Sequence, residues 1–143
     1  MFAFGGRKGK IKKALKMSAA EFKGCTPPIY QQFFYGAVDV DPRNLVVWFL
    51  FETDEALAQA KQTRLCEQLM EATKRNLISC GYPKDAFIET VVPLPDKVKI
   101  QGGTDEQRAA IVHQMTHRKA KIAFTTKEDI DKKANGDYCL YFH

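Results

Sequence analysis

The run Leu45-Val46-Val47-Trp48-Phe49-Leu50-Phe51 is the feature that most constrains the fold. Seven consecutive apolar residues, mostly β-branched or aromatic, suit a strand rather than a helix of useful length. The run does not alternate, so both of its faces must be covered, which makes it a central strand. Tyr30 to Val38 is aromatic and β-branched enough to be its neighbour. Asp41-Pro42-Arg43-Asn44 supplies the turn between them, with Pro42 preset for its second position. Residues 30–52 are therefore expected to form a β-hairpin.

Helical signals follow. Residues 54–80 carry an apolar stripe at Leu57, Leu65, Leu69 and Leu77, with Cys66, Met70 and Ile78 beside it. Thr53 or Asp54 caps this helix, a break is expected near Lys61 to Thr63, and Gly81 and Pro83 end it. Thr104 to His117 reads as a second helix, with acids at 105 and 106 and bases at 118, 119 and 121. Thr125 and Glu128 form a capping box for a third, which runs to Ala134 and ends at Asn135-Gly136. Phe87–Val92, Val98–Ile100, Ile122–Thr125 and Tyr138–Phe142 read as further strands. The expected fold is a single α+β domain spanning 25–143. Its sheet has four or five strands, largely antiparallel, packed against one long helix and two shorter ones.

The net charge of +5 is segregated. Residues 1–23 hold seven basic side chains against Glu21 alone, whereas residues 24–143 hold 15 basic and 16 acidic ones. Residues 1–24 read as a Gly/Lys-rich, partly flexible basic arm. Within it, 10–16 suit a short helix with Ile11 and Leu15 at i, i+4, and Ser18 with Glu21 a second capped turn closed by Gly24. Pro27-Pro28 directs an extended exit.

Candidate chemistry is sparse. Gly5-Gly6-Arg7-Lys8-Gly9-Lys10 is not a phosphate loop, because Phe4 stands where the first glycine belongs and Ile11 replaces the metal-holding hydroxyl. Asp105 and Glu106 would repel an anion at the turn Gly102-Gly103-Thr104. His113 and His117 have i, i+4 spacing but lack the glutamate of a metalloprotease motif. Cys25, Cys66, Cys80 and Cys139 form no CxxC pair, and Cys66 and Cys80 on one helix would stand about 21 Å apart. Cys25, in a loop, is the best placed to act as a nucleophile. The acidic clusters fit no calcium loop, and Tyr35-Gly36-Ala37-Val38 lacks the RNA-recognition signature.

Three functional expectations result. The first is a small non-catalytic interaction protein, regulatory, adaptor or immunity-like, that binds another protein or a second copy of itself. Its surface would be the strand aromatics Phe33, Tyr35, Tyr138 and Tyr141. The second is nucleic-acid binding through Arg7, Lys8, Lys10, Lys12, Lys13 and Lys16, with Phe2 and Phe4 available to stack. The third is a small enzyme with a Cys–His or His–metal site. No catalytic residue, metal ligand or cofactor is assigned. Without a secretory h-region, a bilayer-spanning run or paired cysteines, the expected compartment is cytoplasmic.

Overall fold

The computed structural model describes residues 6–94, 96 and 99–142. Its main sheet has the order β1-β2-β5. Strand β2 (Val46–Phe51) is central, as its unbroken apolar run requires. It pairs antiparallel with β1 (Gln31–Tyr35), from Gln31↔Leu50 to Tyr35↔Val46. On its other side it pairs parallel with β5 (Lys121–Thr126), from Val46↔Lys121 to Phe51↔Thr126. The turn of the hairpin is a 3₁₀ segment, Pro42–Asn44, capped by Asp41, whose Oδ1 accepts from the Arg43 amide at 2.9 Å. The same carboxylate clamps the Arg43 guanidinium at 2.7 Å and is held down at about 2.

The sheet differs from expectation in size and direction. It has three strands rather than four or five, and it is mixed rather than largely antiparallel. The remaining strands, β3 (Thr90–Val91) and β4 (His117–Arg118), form a separate two-residue pair. Of the expected strand Phe87–Val92 only Thr90 and Val91 are paired; Phe87 closes the 3₁₀ turn Lys84–Phe87, and Ile88, Glu89 and Val92 are in no strand. Val98 lies outside the described residues, and Lys99 and Ile100 are in no strand. A parallel strand needs a long crossover. Here the connection from β2 to β5 runs through α2 (Asp54–Gln62), α3 (Leu65–Ser79) and α4 (Asp105–Thr116).

The expected 54–80 helix breaks between α2 and α3. Thr63 Oγ1 bonds back to the Gln59 carbonyl at 3.0 Å, and Arg64 turns to φ 66°. Helix α4 starts at a complete Thr104–Gln107 capping box. Helix α5 (Lys127–Ala134) starts one residue later than expected, with Thr126 as its cap. Glu128, freed from that role, accepts instead from the Asp54 amide at 2.8 Å, while Thr126 Oγ1 donates to Asp54 Oδ1 at 2.5 Å. The N-termini of α2 and α5 thus cap one another. No helix of the described residues is long and apolar enough to cross a membrane.

Residues 6–21 form one helix, α1 (Gly6–Glu21), in place of a short helix and a separate turn. Ile11, Ala14, Leu15 and Ser18 recur at helical spacing and are buried. Ile11, Ala14 and Leu15 enter the same core as Val47, Phe49 and Phe51 of β2 and Leu65, Leu69 and Leu77 of α3. Ser18 is not a helix cap. It lies in the α1–α3 contact, where its Oγ accepts from Thr73 Oγ1 and Asn76 Nδ2, both at 3.0 Å. Glu21 is paired with Arg75 at 2.6 Å.

A candidate interaction site on the outer sheet face

Side chains alternate across a strand. Val47, Phe49 and Phe51 face α1 and α3, so Trp48 and Leu50 point to the other side, joined by Gln31, Phe33 and Tyr35 of β1. That outer face is partly covered by the C-terminal segment. The expected strand 138–142 is instead a helical turn, α6 (Tyr138–Tyr141), capped by Asp137, whose carboxylate accepts from the Leu140 amide at 3.1 Å. The aromatics at 138, 141 and 142 sit at i, i+3, i+4 spacing. This brings all three to the side that meets the sheet.

Phe142 is the hub. Its ring lies 4.9 Å from Trp48, 5.2 Å edge-on to Phe33, 4.7 Å from Tyr141 and 6.2 Å from Tyr35. The polar tips are satisfied around it. Trp48 Nε1 donates to Tyr35 Oη at 3.1 Å, and Tyr138 Oη to Gln31 Oε1 at 3.1 Å. Tyr141 Oη donates to Asp129 and accepts from Thr125 Oγ1 at 2.7 Å. Burial holds the Tyr138 and Tyr141 phenols above the ordinary tyrosine value, so both remain neutral donors near pH 7.

Two open clefts adjoin Phe142. One, of about 460 Å³, lies between Phe33, Tyr35, Tyr138 and Cys139. The other, of about 450 Å³, lies between Tyr35, Trp48, Lys133 and Leu140. Leu140 is 63% exposed at their rim. Of the four aromatics singled out from sequence, Phe33, Tyr35 and Tyr138 line the first cleft. Tyr141 lines the second cleft, and its hydroxyl anchors α6 to β5 and α5. Trp48, Phe142 and Leu140 complete the site and were not assigned to it from sequence. For Phe142 the signal was the helical spacing of the last aromatics, which a strand reading hides.

The basic residues of the N-terminal segment divide into two groups. Arg7 is half-buried and donates to the Val38 and Asp39 carbonyls at 3.0 and 3.3 Å, and Lys10 Nζ reaches the Gly81 carbonyl at 3.4 Å. Lys8, Lys12, Lys13 and Lys16 are exposed. Among the described residues none of these four has a carboxylate within 4.0 Å. Phe2 and Phe4 lie outside the described residues.

Of the histidines, His143 is outside the described residues. The His113 and His117 rings stack at 3.9 Å and 8°, and His117 Nδ1 lies 3.1 Å from both Thr116 Oγ1 and the His113 carbonyl. Among the described residues no three metal-ligating side chains converge. Cys25 Sγ bonds to the Pro27 carbonyl at 3.3 Å and Cys80 lies against Met17 sulfur at 3.5 Å. Burial pushes the Cys66 thiol up, away from thiolate character. Cys139 is exposed, and all four cysteines are free. No protein-family model, curated protein or solved structure matches the chain.

Proposed function

We propose that this chain is a non-catalytic protein-binding module, and that its partner docks an extended segment along the free edge of β1. The observation that carries this reading is an uncharged open strand edge directly beside the aromatic clefts. Among the described residues β1 has β2 as its only neighbour in the sheet. Residues 30–38 contain no charged side chain, and Gln31–Tyr35 contains no proline. Proteins commonly protect an edge with lysine, proline or a covering loop. The opposite edge has such protection, with Lys119 and Lys121 at the start of β5 and the Ala120 amide bonded to the Ala86 carbonyl at 2.7 Å. A strand added at β1 would satisfy its outward backbone groups. Every second side chain of that strand would fall beside Phe33 and Tyr35, into the clefts.

Trp48 is the single tryptophan and lies in this site, so its emission reports occupancy directly. The test is selection from a displayed library of random linear peptides. Expected winners alternate apolar or aromatic residues and shift Trp48 emission on binding. Their affinity falls at least about tenfold with Leu140→Asp, which changes only an exposed rim side chain, and with Gln31→Lys, which charges the edge. Failure to select any peptide, or binding indifferent to both changes, refutes the reading. Light scattering distinguishes a second copy of the chain from a foreign partner.

A further inference from the structure

We infer that the solvent face of α1 is a docking surface for the phosphate backbone of duplex DNA. This surface is independent of the β1 edge, because α1 covers the inner sheet face and the clefts open on the outer one. The four exposed lysines are spaced to act together. Lys8, Lys12 and Lys16 follow at four-residue steps, each about 6 Å along the axis, and Lys13 flanks them across an arc of about 140°. The opposite face of the helix is buried through Ile11, Ala14, Leu15 and Ser18, so the lysines project in a fixed direction.

Three observations select the ligand. First, the charge is uncompensated. The only acid on α1, Glu21, is taken by Arg75 at 2.6 Å; the Asp39 carboxylate lies beside Gly6 and offsets the helix dipole at that end, so the positive field of this face is that of the lysines themselves. Second, the residues between the lysines on this face are Gly9, Ala19 and Ala20. They have no ring on which an unpaired base stacks, which disfavours single strands. They also have no large apolar side chain to enter a lipid interface, and the helix's apolar stripe is already used in the core. Third, short side chains allow close approach, and a B-form major groove about 12 Å wide admits a helix with lysines on both flanks. The deep, narrow groove of an RNA duplex does not. Arg7 and Lys10, bonded to backbone carbonyls, are supports of the helix rather than contacts.

Binding would be independent of base sequence and strongly salt-dependent. Four neutralised phosphates give a log–log slope of about −3.6, or roughly a 150-fold loss of affinity between 50 and 200 mM salt. The experiment is fluorescence anisotropy of a labelled DNA duplex with the full chain. The triple variant Lys8→Gln, Lys12→Gln, Lys16→Gln keeps good helix formers on an exposed face and is expected to stay folded. Its affinity at 50 mM salt should fall at least about tenfold and its slope to about −0.9. A charge-matched triple, Lys61→Gln, Lys119→Gln, Lys121→Gln, should retain wild-type affinity within about twofold. Circular dichroism verifies that both triples are folded. The proposal is overturned by absence of binding at 50 mM salt, or by equal loss in both triples. It is equally overturned if an RNA duplex, single-stranded DNA or phosphatidylserine vesicles bind as tightly as the DNA duplex.

Discussion

Ser18 accepts from Thr73 and Asn76 inside the α1–α3 contact, and all three are buried. Ser18→Ala leaves the Thr73 hydroxyl without its acceptor, while Asn76 keeps only a longer contact to Glu21 at 3.4 Å. The expected cost is about 2 kcal/mol, read as a lower urea midpoint with an unchanged slope. Adding Thr73→Val removes the orphaned donor, so the double variant should be less destabilised than the sum of the two singles. Simple additivity would show that the bond does not form. From sequence, Ser18 with Glu21 has the pattern of a helix cap, because a serine three residues before a glutamate carries no mark of what packs on it. Asp41 was legible, since Pro42 after it fixes the turn. Its carboxyl is held at about 2, chiefly by hydrogen bonds from the Arg43 side chain and amide. A depressed folded value means stability that is present above pH 4 and lost as pH falls towards 2. Wild type should therefore exceed Asp41→Asn by about 1 kcal/mol at neutral pH. That margin should be nearly flat down to pH 4, shrink as pH falls through 2 and be gone below it. A margin that ignores pH would remove the ion pair from the account.

At the scale of elements, local signals were the readable ones. The hairpin, the α2–α3 break and the Thr104 cap are each written in a few adjacent residues, and the structure has all three. The parallel partner β5 was not readable, because its pairing with β2 joins segments some seventy residues apart and periodicity carries no direction. The C-terminal turn was misread for a different reason. Tyr138-Cys139-Leu140-Tyr141-Phe142 has strand composition, but the Asp137 cap and the i, i+3, i+4 placement of its rings favour a helical turn once an apolar sheet face is available to receive them. Phe142 holds this element down. Phe142→Ala should cost about 2 kcal/mol, since the ring is half-buried against five others. It should also release α6 from the sheet, moving Trp48 emission to longer wavelength in the native baseline before any unfolding. An unshifted baseline would mean that α6 does not rest on Trp48.

The whole molecule has a charge division that does not follow its packing. Residues 1–23 carry the basic excess and 24–143 are close to neutral, a division that predicts an arm attached to a self-sufficient body. The core crosses that boundary. Ile11 and Ala14 are as deeply placed as Val47 and Leu69, Leu15 is buried beside them, and the lysines occupy only the other side of the same helix. The hydrophobic spacing was present at 11, 14, 15 and 18, but two of these positions hold small residues, and the surrounding lysines dominate any reading by composition. The consequence is a test at the same scale. Removing residues 1–23 strips the apolar contacts of Ile11 and Leu15 and uncovers the groove on α3 that receives them. The loss should be about 5 kcal/mol or more, a large part of what a domain of this size retains in total. The 24–143 fragment should lose its near-ultraviolet dichroism and its cooperative urea transition, and it should bind a hydrophobic dye. A fragment that unfolds cooperatively at the wild-type midpoint would return α1 to the status of an appendage. Loss of DNA binding on such a deletion would therefore report unfolding as readily as a lost contact. Only substitution of the exposed lysines in the intact chain separates the charge of α1 from its place in the core.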